Sequence, residues 1–239
     1  MNSNFSNKTI LVVGGTSGIG HAICKELIEQ GATVFSLSRR DSNDVEGVNH
    51  IQANVLEDLN PIAGMLPSKL DGLVYAPGSI NLKPFNRLTT ADFLQDFEIN
   101  VIGAVKILQL TLNSLKSSGE ASVVLFSTVA AKTGMGFHAS VAASKSAIEG
   151  LSISLAAEYS QAKIRVNVIA PSLTDTPLAA ALLSTDEKRM ASDKRHPLGR
   201  IGNSEEIAES ALFLLSDKSS WMTGQVLRPD GGMSVVKTF

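Results

Sequence analysis

"TILVVGGTSGIG", Thr9 to Gly20, runs from an apolar segment through a cluster of glycines into the start of a helical pattern. The first part is rich in β-branched residues and bounded by glycine, which predicts a buried strand. Beyond it, Ile23, Leu27 and Ile28 fall on one face of a helix that begins near Ile19, and Gly31 suits a left-handed stop. Gly14, Gly18 and Gly20 sit in the turn between the two. Glycine there permits a tight turn and a close approach of backbone to a pyrophosphate, which the unpaired N–H groups and dipole of the helix N-terminus attract. Thr16, Ser17 and Ile19 complete the expected binding turn. By itself such a pattern could also be only a tight strand-to-helix connection, so its weight depends on the rest of the chain.

The rest of the chain continues the alternation. Strand-like runs "ATVFSLS", "HIQANV", "GLVYA", "SVVLFST", "RVNVIAP" and "QVLRP" are interleaved with helical stretches. Strand and helix in turn predict βαβ units with right-handed crossovers, hence an α/β fold: a Rossmann-type, doubly wound parallel sheet in three α/β/α layers. No repeat, low-complexity tract or linker interrupts it, so residues 1–239 are expected to form one domain. The segment from Arg40 to Val48 is too short for a crossover helix and is read as a loop.

Composition narrows the function classes. The 239 residues carry a formal charge of -2 with 44% hydrophobic residues, which gives no basic excess for nucleic acid or an anionic membrane. The N-terminus lacks the pattern of a signal peptide, and no apolar run is long enough to span a bilayer, so a cytoplasmic location is expected. Cys24 is the sole cysteine, and His21, His50, His138 and His196 are scattered without metal-ligand spacing. No metal site is expected, and surface or satisfied-core roles are the ordinary reading of the histidines.

The spacing G-x-x-x-G-x-G from Gly14 to Gly20 resembles that of the classical short-chain dehydrogenase/reductase family. "INVIGA" around Asn100, "ASKSAIEGLSISLAAE", "IRVNVIAPS", "PLGRIGNSEEIAESALFLLSD" and "TGQVLRPDGG" resemble further blocks of it. The likeness runs through nearly the whole chain and is strongest to the branch containing ketoacyl carrier-protein reductases. It implies a nicotinamide cofactor. An acidic residue at the end of the second strand would hold the ribose of NAD; Ser38 stands there, followed by Arg39 and Arg40. A neutral hydroxyl beside guanidinium groups suits the 2'-phosphate of NADP, so NADPH is expected over NAD, although "SRRD" could also be a solvated turn. The resemblance places Asn54 and Val55 at the adenine, Gly78 near the cofactor, and Pro171 and Thr176 near the nicotinamide. At the end of the fourth strand the family's Asn-Asn-Ala-Gly reads Tyr75-Ala76-Pro77-Gly78, and its Pro-Gly after the sixth reads Pro171-Ser172.

The same resemblance assigns a catalytic set of Asn, Ser, Tyr and Lys. Asn100 and Lys145 match, and Thr128, with Ser127 before it, stands at the serine position. Val141 occupies the tyrosine position, and a hydrocarbon cannot donate a proton. Tyr159 and Lys163 reproduce the Y-x-x-x-K spacing, but they lie about 27 Å along the helix from Val141 and carry no catalytic weight. Lys145 keeps an expected role on the nicotinamide ribose, which needs no tyrosine; a solvated helix lysine is the competing view.

Two functional readings follow. The first is an NADP(H)-dependent oxidoreductase acting on a small carbonyl or alcohol, with its proton supplied by His138, by Ser127 or Thr128 through water, by Tyr75, or by the substrate. The second is a catalytically inactive cofactor-binding protein acting as a responsive or structural partner. A helical lid is expected from Pro177 to Leu198, with "LAAALL" facing substrate. The family resemblance implies a homo-oligomer, a tetramer or dimer, paired through the long helices; Ala142, Ala143, Ala147, Gly150 and Ala156 would allow close approach, unless they pack on their own sheet.

Overall fold

The computed structural model describes residues 5–237. Strand β1 (Thr9–Val13) is buried on both faces, and its side chains divide between two cores. Leu11 and Val13 join one core, with Ile107 and Leu115 of α3 (Gly103–Ser117) and Ile148 and Ala156 of α4 (Ala139–Tyr159). Ile10 and Val12 join the other, with Ile23 and Leu27 of α1 (Gly18–Glu29) and Ile207, Ala211 and Leu212 of α6 (Ser204–Leu215). The period of two sends alternate residues to opposite faces, which is why a helix layer is required on each side.

The main sheet has seven strands, all paired in parallel. Besides β1 they are β2 (Thr33–Ser38), β3 (Asn49–Gln52), β4 (Gly72–Tyr75), β5 (Ala121–Phe126), β6 (Ile164–Ile169) and β9 (Val226–Leu227). The order is β3-β2-β1-β4-β5-β6-β9. The chain moves outward from β1 to β3 and then crosses back to β4, so the loops after β1 and β4 diverge and leave a crevice at their C-terminal ends.

Helix α1 ends with Gly31 at φ +84°, where Ala32 N–H donates to Leu27 O, the expected left-handed stop. No helix lies between β2 and β3. That loop instead packs on the glycine turn, Asn43 Nδ2 donating to Gly15 O and to Ser36 Oγ at 3.0 Å each. β3 is shorter than the apolar run predicted, because Asn54 turns the chain by accepting from Leu56 N–H at 3.1 Å. The long helical stretch after β4 divides into α2 (Thr90–Phe97), a π-helical turn at Glu98–Ile102, and α3.

A pairing absent from the sequence reading joins β7 (Thr174–Asp175) to β8 (Gly202–Asn203). It clamps together the two ends of the expected lid segment, which holds a 3-10 helix, Pro177–Leu182, and α5 (Asp186–Asp193). On α4, Ala156 is buried against its own sheet, whereas Ala143, Gly150 and Ile153 face outward. Among the described residues no helix is long and apolar enough to cross a membrane.

Candidate active site and cofactor groove

The crevice between β1 and β4 is a groove of about 330 Å³. Gly14, at φ +81°, forms its floor; a Cβ there would lie 3.2 Å from Pro77, so the two diverging loops touch. A Cβ on Gly20 would sit 2.2 Å from Gly14 O, so only glycine lets α1 start this close to the strand end. Ser17 is the N-cap of α1 yet makes no capping bond, which leaves first-turn N–H groups free to meet an anion. Thr16, Gly18 and Ile19 line the same groove.

Ser38, Arg39 and Arg40 line the groove where β2 ends. Arg40 Nη1 donates to Thr16 O at 3.0 Å, and Arg40 N–H donates to Ser38 Oγ at 3.2 Å. The Arg39 side chain is exposed and makes no hydrogen bond among the described residues. Asn54 and Val55 line the far wall, but the Asn54 amide already donates to Glu57 Oε1 at 3.0 Å.

A second, larger cavity of about 630 Å³ adjoins this groove, and Ile19, Ala76, Gly78, Thr176 and Leu178 border both. Thr128, His138, Val141, Lys145 and Pro171 come together on its wall with Ser127 and Ser172. The segment expected to form a lid lines this cavity with Leu178, Ala179, Ala181 and Leu182. Thr176 marks the junction; its hydroxyl donates to Thr174 O and accepts from Ala179 N–H, both at 3.3 Å.

Lys145 is buried, not solvated, and its Nζ donates to Phe126 O at 2.9 Å. Burial pulls its ammonium down to about 8, with the Asp96 carboxylate opposing that shift. A Cβ on Gly78 would lie 3.4 Å from Lys145 Nζ and 3.6 Å from Asn100 Oδ1, so the absence of a side chain at Gly78 leaves the space beside these groups clear. Asn100 lies in the π turn, as a helix irregularity there requires. Its Nδ2 donates to Ser144 Oγ at 2.9 Å and to Ser79 Oγ at 3.3 Å, while its buried Oδ1 has no partner among the described residues. Ser79 and Ser140 each donate to the buried Asp96 carboxylate at 2.5 Å.

The other proposed proton sources differ in what they can offer. Ser127 Oγ donates to Glu149 Oε1 at 2.7 Å, so its proton points into α4. Among the described residues Thr128 Oγ1 accepts a 3.3 Å bond from Ala130 N–H and donates none, which leaves its own proton free. His138 is half-buried on the cavity wall, its Nδ1 lying 2.6 Å from Gly136 O. Tyr75 lies outside the cavity: buried, it donates to Ile99 O at 2.6 Å, and burial raises its phenol far above the ordinary value. Its role is to brace the π turn. Tyr159 lies under the Lys116 ammonium, 5.4 Å from the ring centre, and Lys163 pairs with Glu120 beyond the opposite end of the sheet.

Sequence reading treated His196 as ordinary, yet it is 3% exposed and lines the larger cavity. Its Nδ1 lies 2.9 Å from Ser192 O and its Nε2 2.9 Å from Ser172 Oγ. The one available signal was Ser172, which departs from the glycine expected after the proline.

A parallel doubly wound sheet with a glycine turn at its switch point and a lysine at the adjoining cavity defines a dinucleotide-binding domain of oxidoreductase type. The chain belongs to the short-chain dehydrogenase/reductase family, whose members are nicotinamide-dependent oxidoreductases; the family profile described as enoyl-(acyl carrier protein) reductase matches residues 13–234. A tropinone reductase homolog of Arabidopsis thaliana is 33% identical over 94% of this chain and 92% of its own. The cis-4-hydroxycyclohexanecarboxylate dehydrogenase of Sinomonas cyclohexanicum is 30% identical over 99% of this chain and 100% of its own. The ligand-free aldohexose dehydrogenase of Thermoplasma acidophilum superposes with a TM-score of 0.90 at 26% identity, covering 100% of this chain and 98% of that one.

Proposed function

We propose that this protein is an NADP(H)-dependent oxidoreductase that interconverts a small, mainly apolar carbonyl compound and its alcohol, with a proton donor other than tyrosine. The observation that carries this reading is the continuity of the groove with the larger cavity, with Gly78 and Thr176 shared and Lys145 at the junction. The uncapped start of α1, the glycine floor and the partnerless Asn100 Oδ1 fit a dinucleotide with its ribose hydroxyls near Lys145. When bound, the nicotinamide exchanges a hydride with the substrate carbon.

The chain's own residues bind and orient. Gly14, Thr16, Ser17, Gly18, Ile19 and Gly20 hold the pyrophosphate, while Ser38 and Arg39 favour the 2'-phosphate, the Arg39 guanidinium being free to do so. Asn54 and Val55 flank the base, and Pro171 and Thr176 bound the nicotinamide. Thr128 holds the substrate oxygen with its free hydroxyl proton. Charge that builds on that oxygen must be neutralised by a proton, and general acid–base catalysis is worth about a hundred- to ten-thousand-fold.

A screen of alcohols with NADP and of carbonyls with NADPH tests the reading. Cyclic hydroxy acids belong in it, because Lys188 and Arg195 line the lid side of the cavity and a relative is named for such a substrate. Turnover of at least one compound is expected. Tight NADPH binding without turnover of any would favour the inactive cofactor-binding alternative.

A further inference from the structure

We infer that Ser172 and His196 form the proton-transfer pair that serves the substrate oxygen in place of the tyrosine replaced by Val141; this rests on the hydride-transfer reading above. The pair is built into the wall of the cavity that holds Thr128, Val141 and Lys145. Val129 N–H donates to Pro171 O at 3.1 Å, which holds the loop bearing Ser172 against the loop bearing Thr128. Ser172 and Thr128 therefore line the same cavity from two adjoining loops.

The tautomer follows from the partners. A backbone carbonyl can only accept, so the 2.9 Å contact of His196 Nδ1 with Ser192 O requires the proton on Nδ1. In the neutral ring Nε2 is then an acceptor, and the Ser172 hydroxyl 2.9 Å away donates to it. A hydroxyl, a base and a group that orients the base is the arrangement that readies a hydroxyl oxygen to take up a proton as it hands its own to the base. Gly231, at φ +60°, lies close to the ring, since a Cβ there would be 3.6 Å from His196 Cδ2. Ser192 is itself held by Arg195, whose Nη2 donates to Ser192 Oγ at 2.9 Å.

The step balances in both directions. In alcohol oxidation the substrate O–H proton passes to Ser172 Oγ as the Ser172 proton passes to His196 Nε2. The substrate C–H bond breaks with its electron pair leaving as hydride to the oxidised nicotinamide, a C=O bond forms, and His196 ends as imidazolium. In reduction the imidazolium returns the proton through Ser172 to the carbonyl oxygen as hydride arrives at carbon. Ser172 is the catalytic residue that touches substrate, and His196 is its proton partner.

The test uses whole protein with the best substrate from the screen. Ser172→Gly restores the residue the family resemblance puts at this position and is expected to fold. It should lower kcat about a hundredfold, with KM and the NADPH dissociation constant within about twofold. His196→Gly should lose as much, and added imidazole should restore part of it, which a structural role would not allow. Independently of turnover, ¹⁵N NMR should find the His196 proton on Nδ1 and an Nε2 shift that moves in Ser172→Gly. If native protein turns over and both variants keep kcat within about threefold, the pair is not the proton route and the oxidoreductase reading stands. A His196 proton on Nε2 in the neutral ring overturns the pair in the same way. Native protein that turns over no alcohol or carbonyl overturns the hydride-transfer reading and this inference with it.

Discussion

Lys145 Nζ donates a 2.9 Å hydrogen bond to the carbonyl of Phe126, the last residue of β5, and so the lysine is anchored to the sheet while its neighbour one turn earlier, Val141, forms apolar cavity wall. The anchoring needs no tyrosine, so a lysine here keeps its hold on the sheet with a valine one turn earlier.

Val141→Tyr should place a phenol one turn before the Lys145 ammonium and facing the substrate cavity. Carbonyl reductase activity should appear or rise in steady-state assays with NADPH. Val141 is 6% exposed, so the larger ring should also cost about 1–3 kcal/mol in denaturant unfolding. A variant that folds, binds NADPH and gains no activity would show that the rest of the family arrangement is not intact.

NADPH should bind more tightly than NADH, and Arg39→Ala should remove about tenfold of that preference, the worth of one charge-assisted hydrogen bond. Calorimetric titration of both cofactors measures it. Equal affinities, unchanged by the substitution, would remove the NADP assignment.

Tyr75→Phe should destabilise the protein by about 1–2 kcal/mol, because Ile99 O loses its buried donor. Gly103→Ala should be worse still, since its Cβ would fall 2.3 Å from Tyr75 Oη. Urea unfolding reads both. Were Tyr75 a proton donor, Tyr75→Phe would instead abolish turnover at unchanged stability.

Stability should depend on Lys145 above neutrality. Burial lowers its folded-state value from 10.5 to about 8, so between these limits the unfolded chain binds more protons and stability rises with pH. The cost of burying the charge is fully present below pH 8 and relieved as pH climbs towards 10.5, a span worth about 3 kcal/mol. The stability of the native protein relative to Lys145→Met, measured by urea unfolding at pH 7.5 and 9.5, should therefore increase with pH. A pH-independent difference would mean the ammonium is solvated.

Light scattering at micromolar concentration should give a multiple of 25.2 kDa. Ala143, Gly150 and Ile153 face outward on α4, the first two small enough to allow close helix pairing, and Ile153→Glu should weaken it. A monomer in the native protein would defeat the expectation.

The layered parallel fold and the glycine turn were legible in the sequence, because both are written in local periodicity and in glycines that no other residue can replace. Gly20 meets Gly14 O within one βα unit, and the alternation of Leu11 with Val12 is visible in neighbouring residues although the two cores they join draw on helices from the whole chain. The expectation that Val141 stands where the family has a tyrosine also comes from the sequence, since motif spacing is a property of one helix. Only the tertiary structure decided what surrounds that departure. Tyr75, named as a possible acid, spends its hydroxyl on a carbonyl 24 residues away, and Lys145 is held by a strand end 19 residues before it. His196 and Ser172 are 24 residues apart, separated by the lid, and meet because the β7–β8 pairing clamps the lid's two ends together. Hydrogen-bond partners in such a site are set by where separate strands end in space, and one-dimensional spacing does not carry that information.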